Sequence, residues 1–215
     1  TMRATTDLIE IDQENPSGEA IARAAAIIRA GGVVAIPTDA LYMLVADPYN
    51  LHAVGQVFKA KKREVHRSLP LLVDGMLMAE DLAAQITRRF QILARHFWPG
   101  PLTIIVSASA KVPLKVTGNT GRLALRQARA KTALRLIETL GQPLISTSAN
   151  LSGQPTCSLG IEVFGQMDGH VNLVLDGGPC IGVAGTTLDI TEPIWRLIKE
   201  GAITEKEIAE CLRGA

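Results

Sequence analysis

Two clusters in this chain carry residue types that could do chemistry on a charged ligand. The first is Lys61-Lys62-Arg63, in which Lys61 and Arg63 alternate just past an apolar stretch. With an extended backbone there, both side chains reach one cleft, Arg63 offering a bidentate fork and Lys61 a mobile point charge. The competing reading is a basic helix end that complements the helix dipole. The second cluster is Ile145-Ser146-Thr147-Ser148-Ala149-Asn150-Leu151-Ser152-Gly153, where a short apolar run opens into small hydroxyl and amide residues. Such a loop turns backbone N–H groups, hydroxyls and an amide toward one point, which suits a phosphate or a ribose. Small polar residues and glycine also gather in ordinary turns, so the nonet alone leaves both readings open.

Further candidates stand at strand ends. Arg126 closes the apolar run Leu123-Ala124-Leu125, and a cation at the inner end of a buried strand is costly unless paired. Its partner is either a structural carboxylate such as Asp189 or the carboxylate of a substrate. Thr38 and Tyr42 lie just past the run Val33–Ile36, where a hydroxyl and a phenol can line a small pocket, or the Tyr can pack on a sheet. A nucleotide such as ATP brings about four negative charges and usually a bridging Mg²⁺, so its site needs several cations and backbone donors. Neither a Walker A sequence nor a Gly-x-Gly-x-x-Gly after a strand is present. Nor is there a Ser-His-Asp or Cys-His set that would mark a protein nucleophile. The four histidines and three cysteines are scattered, with no zinc-ligand spacing.

Read in order, Pro37-Thr38-Asp39-Ala40-Leu41-Tyr42, Lys61-Lys62-Arg63, Phe97-Trp98-Pro99-Gly100-Pro101-Leu102-Thr103, Leu123-Ala124-Leu125-Arg126 and Ser146 to Gly153 form a series. This series resembles the YrdC/YciO family over residues 17 to 203. The resemblance implies a threonylcarbamoyl-AMP synthase that uses ATP with Mg²⁺, bicarbonate and L-threonine in the first step of making threonylcarbamoyladenosine in tRNA. It implies that Lys61 and Arg63 act on the triphosphate, with Arg122, Ser148, Asn150, Thr156 and Lys199 as further ATP contacts. Thr38, Tyr42, Arg126, Ser146 and Thr186 would then hold threonine, Arg126 taking its carboxylate. Catalysis would be orientation and charge stabilisation, the carbamate of threonine attacking the α-phosphorus in line. The chain departs from the usual P-T-E-T-x-Y-G-L at Asp39, Ala40 and Met43, and carries Gly185-Thr186 for a Ser-Thr pair and Lys199 for an Arg. Restoring Met43→Gly with Gly185→Ser is expected to raise threonine turnover.

The elements needed to position these groups are legible in outline. Gly18–Ala30, Leu51–Ala60 and Lys131–Leu140 have helical apolar spacing, residues 79–97 read as helix in one or two pieces, and Thr204-Glu205-Lys206-Glu207 is a capping box opening a terminal helix. Strands are expected at residues 33–36, 69–73, 102–106, 123–125, 144–145, 171–175, 187–190 and 194–198. Without a regular βαβ repeat, the fold class is α/β (α+β): a twisted mixed sheet flanked by helices, with a basic concave cavity implied by the resemblance. At 215 residues, 47% hydrophobic and 20% charged, the chain suits one domain over residues 1–215.

The three cysteines read as reduced thiols, the opening segment Thr1 to Asp12 lacks an apolar leader core, and no run approaches membrane length. A cytoplasmic location with no membrane partner follows. The resemblance admits tRNA or double-stranded RNA and tRNA-modification proteins as partners. The alternative function is a double-stranded RNA or tRNA binding module using two basic clusters, residues 59–67 and 122–135; a net charge of +1 weighs against it.

Overall fold

Burial along Leu102–Ser107 alternates: Leu102, Ile104 and Val106 are buried, while Thr103 and Ile105 are partly open. That period of two means one face of the strand meets a core and the other meets a space. In the neighbouring strand Thr186–Asp189, Thr187 is likewise the partly open residue, whereas Leu123 to Arg126 of the other neighbour are all buried.

The computed structural model describes residues 5–213, so Thr1-Met2-Arg3 of the opening segment, Ala4 and the last two residues lie outside it. In chain order the elements are β1 (Asp7–Glu10), α1 (Gly18–Arg29), β2 (Val34–Ile36), β3 (Met43–Ala46), α2 (Leu51–Lys61), β4 (Leu71–Val73), α3 (Met76–Leu82), α4 (Arg88–Phe97), β5 (Leu102–Ser107), β6 (Arg122–Gln127), α5 (Lys131–Leu140), β7 (Leu144–Ser148), α6 (Gly160–Met167), β8 (Leu173–Asp176), β9 (Thr186–Asp189), β10 (Arg196–Lys199) and α7 (Glu205–Cys211). The ten strands form one sheet in the order β1-β8-β2-β3-β7-β4-β6-β5-β9-β10. It is mixed: β1 with β8, β2 with β8, β4 with β6 and β5 with β9 are parallel, the other neighbours antiparallel.

Two apolar clusters lie on opposite faces. The larger gathers Leu44, Leu71, Leu102, Ile104, Leu123 and Leu125 from the strands under Val54, Phe58, Phe90 and Leu93 of α2 and α4. The smaller sets Ile21, Ala25 and Ile28 of α1 and Leu136 and Ile137 of α5 on Val34, Ile36, Val45 and Leu173. Helix α1 presents that stripe because its apolar residues recur at helical spacing, and Ser17 caps it by accepting from Ala20 N–H at 3.2 Å. On this second face the helices reach only part of the sheet. The face of β7, β6, β5 and β9 beyond them carries Ser146, Ser148, Ala124, Arg126, Thr103, Ile105 and Thr187, which line a cavity.

The mixed helix-flanked sheet agrees with the expected fold class. Residues 79–97 form two helices, α3 and α4, separated at residues 83–87. Pro70 has no N–H to give a ladder, so β4 starts at Leu71. Three elements had not been anticipated. Strand β3 is flanked by the Thr38 turn and Asp47, α6 carries two glycines, and β1 is a short edge strand with burial open on both sides.

Candidate active site

Helix α2 delivers the cations. Asn50 caps its start by accepting from His52 and Ala53 N–H, and Lys62 closes it in the left-handed region at φ 50. Lys61 is thus the last helical residue, and its side chain is buried. Its ammonium donates to the carbonyl oxygens of Ser148 and Asn150, the latter at 2.8 Å, and lies 3.3 Å from Asn150 Oδ1. Lys61 therefore ties the end of β7 and the turn after it to α2. Burial first, and then the neighbouring Arg63 charge, lower its pKa from 10.5 to about 8.

Arg63 follows the cap and behaves differently. Nη2 donates to the Ser68 carbonyl at 3.1 Å, whereas Nε is buried with no partner. Burial and Arg67 both lower its pKa, so a bound anion would favour the charge that the protein leaves under strain. Ser146 Oγ is the other buried side-chain polar atom without a partner among the described residues. Orphaned buried polar groups call for an explanation, and the two residues that carry these line the same space. It is a cavity of about 350 Å³ bounded by Thr38, Arg63, Arg126, Ser146, Ser148, Thr156, Thr187 and Lys199 among others. Next to it lies an open cleft of about 610 Å³ lined by Lys61, Lys62, Arg63, Arg67, Glu64, Ser148, Asn150, Ser152 and Gly153. Arg63 and Ser148 line both. One compartment is mostly apolar with a few donors, and the other is cationic.

Several expected ligands are engaged elsewhere. Tyr42 is fully buried and lines neither compartment; its hydroxyl lies 2.7 Å from the Gly178 carbonyl and 3.0 Å from Asp176, and accepts from Gly177 N–H. It pins β3 to the end of β8, and burial pushes its pKa up. Thr186 is also fully buried, its hydroxyl donating to the Ile203 carbonyl at 2.6 Å and accepting from Gly201 and Ile203 N–H. Strand alternation turns its neighbour Thr187 to the cavity instead. Arg122 shares a strand face with Arg126 but is drawn to Asp189 at 3.1 Å and Glu192 at 3.0 Å, outside both compartments. Asn150 lines the cleft, yet its Nδ2 already donates to the Leu151 and Gln154 carbonyls. Thr38 lines the cavity while its hydroxyl donates to the Leu41 carbonyl at 2.6 Å.

Asp189, named as a possible partner for Arg126, serves Arg122 and Arg196; Arg126 pairs with Asp39 at 2.8 Å. The expected gain from Gly185→Ser also meets an obstacle. A Cβ at 185 would stand 2.7 Å from the Pro101 carbonyl, a backbone atom that must shift. Thr103 and Thr187 also line the cavity, beyond the residues that the sequence motifs mark. A polar residue alternating with apolar ones in Leu102-Thr103-Ile104 and Thr187-Leu188 is the signal that could have found them.

Fold and site together define an α/β domain with a basin on an open sheet face, apolar at one end and cationic at the other. The chain belongs to the Sua5/YciO/YrdC family, whose model, described as "Telomere recombination", matches residues 26–201. It is 35% identical over 88% of its length to a threonylcarbamoyl-AMP synthase of Pyrococcus abyssi, covering 56% of that protein. It is 34% identical over 92% of its length to the Bacillus subtilis threonylcarbamoyl-AMP synthase, covering 58% of it. The crystal structure of P. abyssi Sua5 complexed with L-threonine superposes with a TM-score of 0.92 at 34% identity, over 96% of this chain and 61% of that one. The chain thus spans little more than half the length of these two curated relatives.

Proposed function

We propose that the protein is a threonylcarbamoyl-AMP synthase that converts ATP, bicarbonate and L-threonine to L-threonylcarbamoyladenylate and pyrophosphate, the first step of threonylcarbamoyladenosine modification of tRNA. The observation that carries this is the junction of the two compartments at Arg63 and Ser148. A substrate that lies across it can place an amino acid in the apolar cavity and polyphosphate in the cationic cleft. The similarity to synthases and to a threonine-bound relative supports the same reading.

In this reading Lys61, Arg63 and Ser148 meet the polyphosphate in the cleft, Thr156 and Lys199 meet the rest of the nucleotide where it enters the cavity, and Thr38, Arg126 and Ser146 meet threonine. Bicarbonate takes up a proton and loses water to give carbon dioxide; the amine of threonine bonds to its carbon and loses a proton. An oxygen of the resulting carbamate attacks the α-phosphorus as the bond to pyrophosphate breaks. The protein's part is orientation and stabilisation of phosphate charge. Cys157 is not a nucleophile in this scheme, since burial pushes its thiol up to about 11. Among the described residues no cluster of three His, Cys, Asp or Glu could hold a metal, so Mg²⁺ enters as the companion of ATP and no step runs through a protein-held ion.

The proposal includes one domain over residues 1–215, a cytoplasmic setting in keeping with three unpaired cysteines, and tRNA-modification proteins or tRNA as downstream partners. No helix among the described residues is long and apolar enough to cross a membrane. Mass spectrometry of an incubation with ATP, Mg²⁺, bicarbonate and L-threonine is expected to show an adenylate carrying the threonylcarbamoyl group. An adenylate that forms equally without threonine, or none at all, would refute the assignment.

A further inference from the structure

At the amino-acid end of the cavity, Arg126 already holds a carboxylate that belongs to the chain itself. Asp39 accepts from Arg126 Nη2 through both oxygens, at 3.0 and 2.8 Å, and the Gly100 carbonyl accepts from Nε at 2.9 Å. Nε and Nη2 form an edge with which a guanidinium grips a carboxylate side-on. Here that edge is filled. Nη1 takes no part in these contacts and lies beside Gly185, where a Cβ would stand 3.5 Å from it. Arg126 and Gly185 both line the 350 Å³ cavity.

Asp39 is also held in place. Thr38 Oγ1 accepts from Ala40 and Leu41 N–H, closing the turn that carries Asp39, and a Cβ on Gly182 would lie 2.0 Å from the Asp39 carbonyl, so the loop at 182 presses on this backbone. The space that Asp39, Arg126, Ser146 and Met43 share with Arg129 and neighbouring apolar residues is about 10 Å³, room for one water at most. A second carboxylate cannot enter on that side. It must approach Arg126 from the main cavity, where the Asp39 charge opposes it.

We propose that Asp39 is a specificity-determining positioning residue: as an internal carboxylate on Arg126, it leaves the amino-acid substrate to be read by Nη1 and the Ser146 hydroxyl, more weakly than by an uncompensated guanidinium. This rests on the assignment of the cavity's inner end to threonine. Asparagine at 39 keeps an oxygen for Nη2 and removes the opposing charge, which separates positioning from charge.

The test titrates L-threonine, and L-threoninol, which lacks the carboxylate, against wild type and Asp39→Asn by ligand-observed NMR, with pyrophosphate release followed on the same preparations. Asp39→Asn is expected to bind L-threonine at least about fivefold tighter, with L-threoninol and ATP unchanged. On an Arg126→Gln background the gain should vanish. Threonine affinity that is unchanged, lower or undetectable in folded Asp39→Asn overturns the proposal. So does an equal gain for L-threoninol, which would report opened space, or a gain that survives without Arg126. If Asp39→Asn does not fold, Asp39→Ser carries the same comparison. If no preparation releases pyrophosphate with threonine, the synthase reading fails while the affinities still decide the role of Asp39.

Discussion

Lys61→Ala is expected to weaken ATP binding at least about tenfold and to lower the unfolding free energy by about 1–3 kcal/mol. The ammonium satisfies oxygens of Ser148 and Asn150 at once, so its loss leaves buried acceptors bare and frees the turn that lines the cationic cleft. The pH dependence has a defined sign. The ammonium is charged below about pH 8, and as pH rises through that value the cleft loses a cation and ATP affinity should fall. For stability the sign is opposite. The folded pKa lies below the ordinary 10.5, so the neutral form is favoured on folding; that contribution is fully present above 10.5 and is lost as pH falls through about 8. Calorimetric ATP titrations at pH 7 and 9, alongside urea unfolding, check both limbs. A folded Lys61→Ala protein with wild-type ATP affinity and pH response would remove Lys61 from the site.

Arg63→Met should separate binding from folding. Arg63 contributes one hydrogen bond, to the Ser68 carbonyl, and leaves Nε buried without a partner. An apolar side chain of similar length removes that unsatisfied donor, so stability is expected to stay within about 1 kcal/mol or to rise. ATP affinity should fall at least about tenfold, because the fork between the two compartments is gone. Large destabilisation with unchanged ATP binding would make Arg63 a structural cation and leave its orphaned Nε unexplained.

The contrast between these neighbours shows what was legible in the sequence. The alternation of Lys61 and Arg63 pointed to one cleft, and both do line it. That Lys61 is held by carbonyls while Arg63 is left open was not legible, because it depends on β7 ending against the last turn of α2. Helices with strong apolar spacing, α1, α2, α4 and α5, could be read directly, since their stripes repeat over several turns. Strand β3 could not. Its four residues Met43-Leu44-Val45-Ala46 are apolar without alternation, three of them being buried between β2 and β7.

Among site residues, a strand's two faces were the limit. Thr186 and Thr187 are adjacent in sequence, and a one-residue difference in register decides which hydroxyl meets the cavity and which closes the loop to Ile203. Tyr42 had a polar tip that fitted a pocket on paper, yet Asp176 and Gly178 claim it across 134 and 136 residues of sequence. Arg126 did carry a carboxylate requirement, as its place at the end of an apolar strand demanded. That the carboxylate is Asp39 emerges only when β6 and the Thr38 turn are brought together.

The most direct test of the central claim is pyrophosphate release by the wild-type protein, with ATP, Mg²⁺, bicarbonate and L-threonine together and with each omitted in turn. If one ligand path joins the amino-acid cavity to the phosphate cleft through Arg63 and Ser148, release should need every component and should collapse in Arg63→Met. Release that ignores threonine or bicarbonate, or that persists undiminished in Arg63→Met, would contradict it.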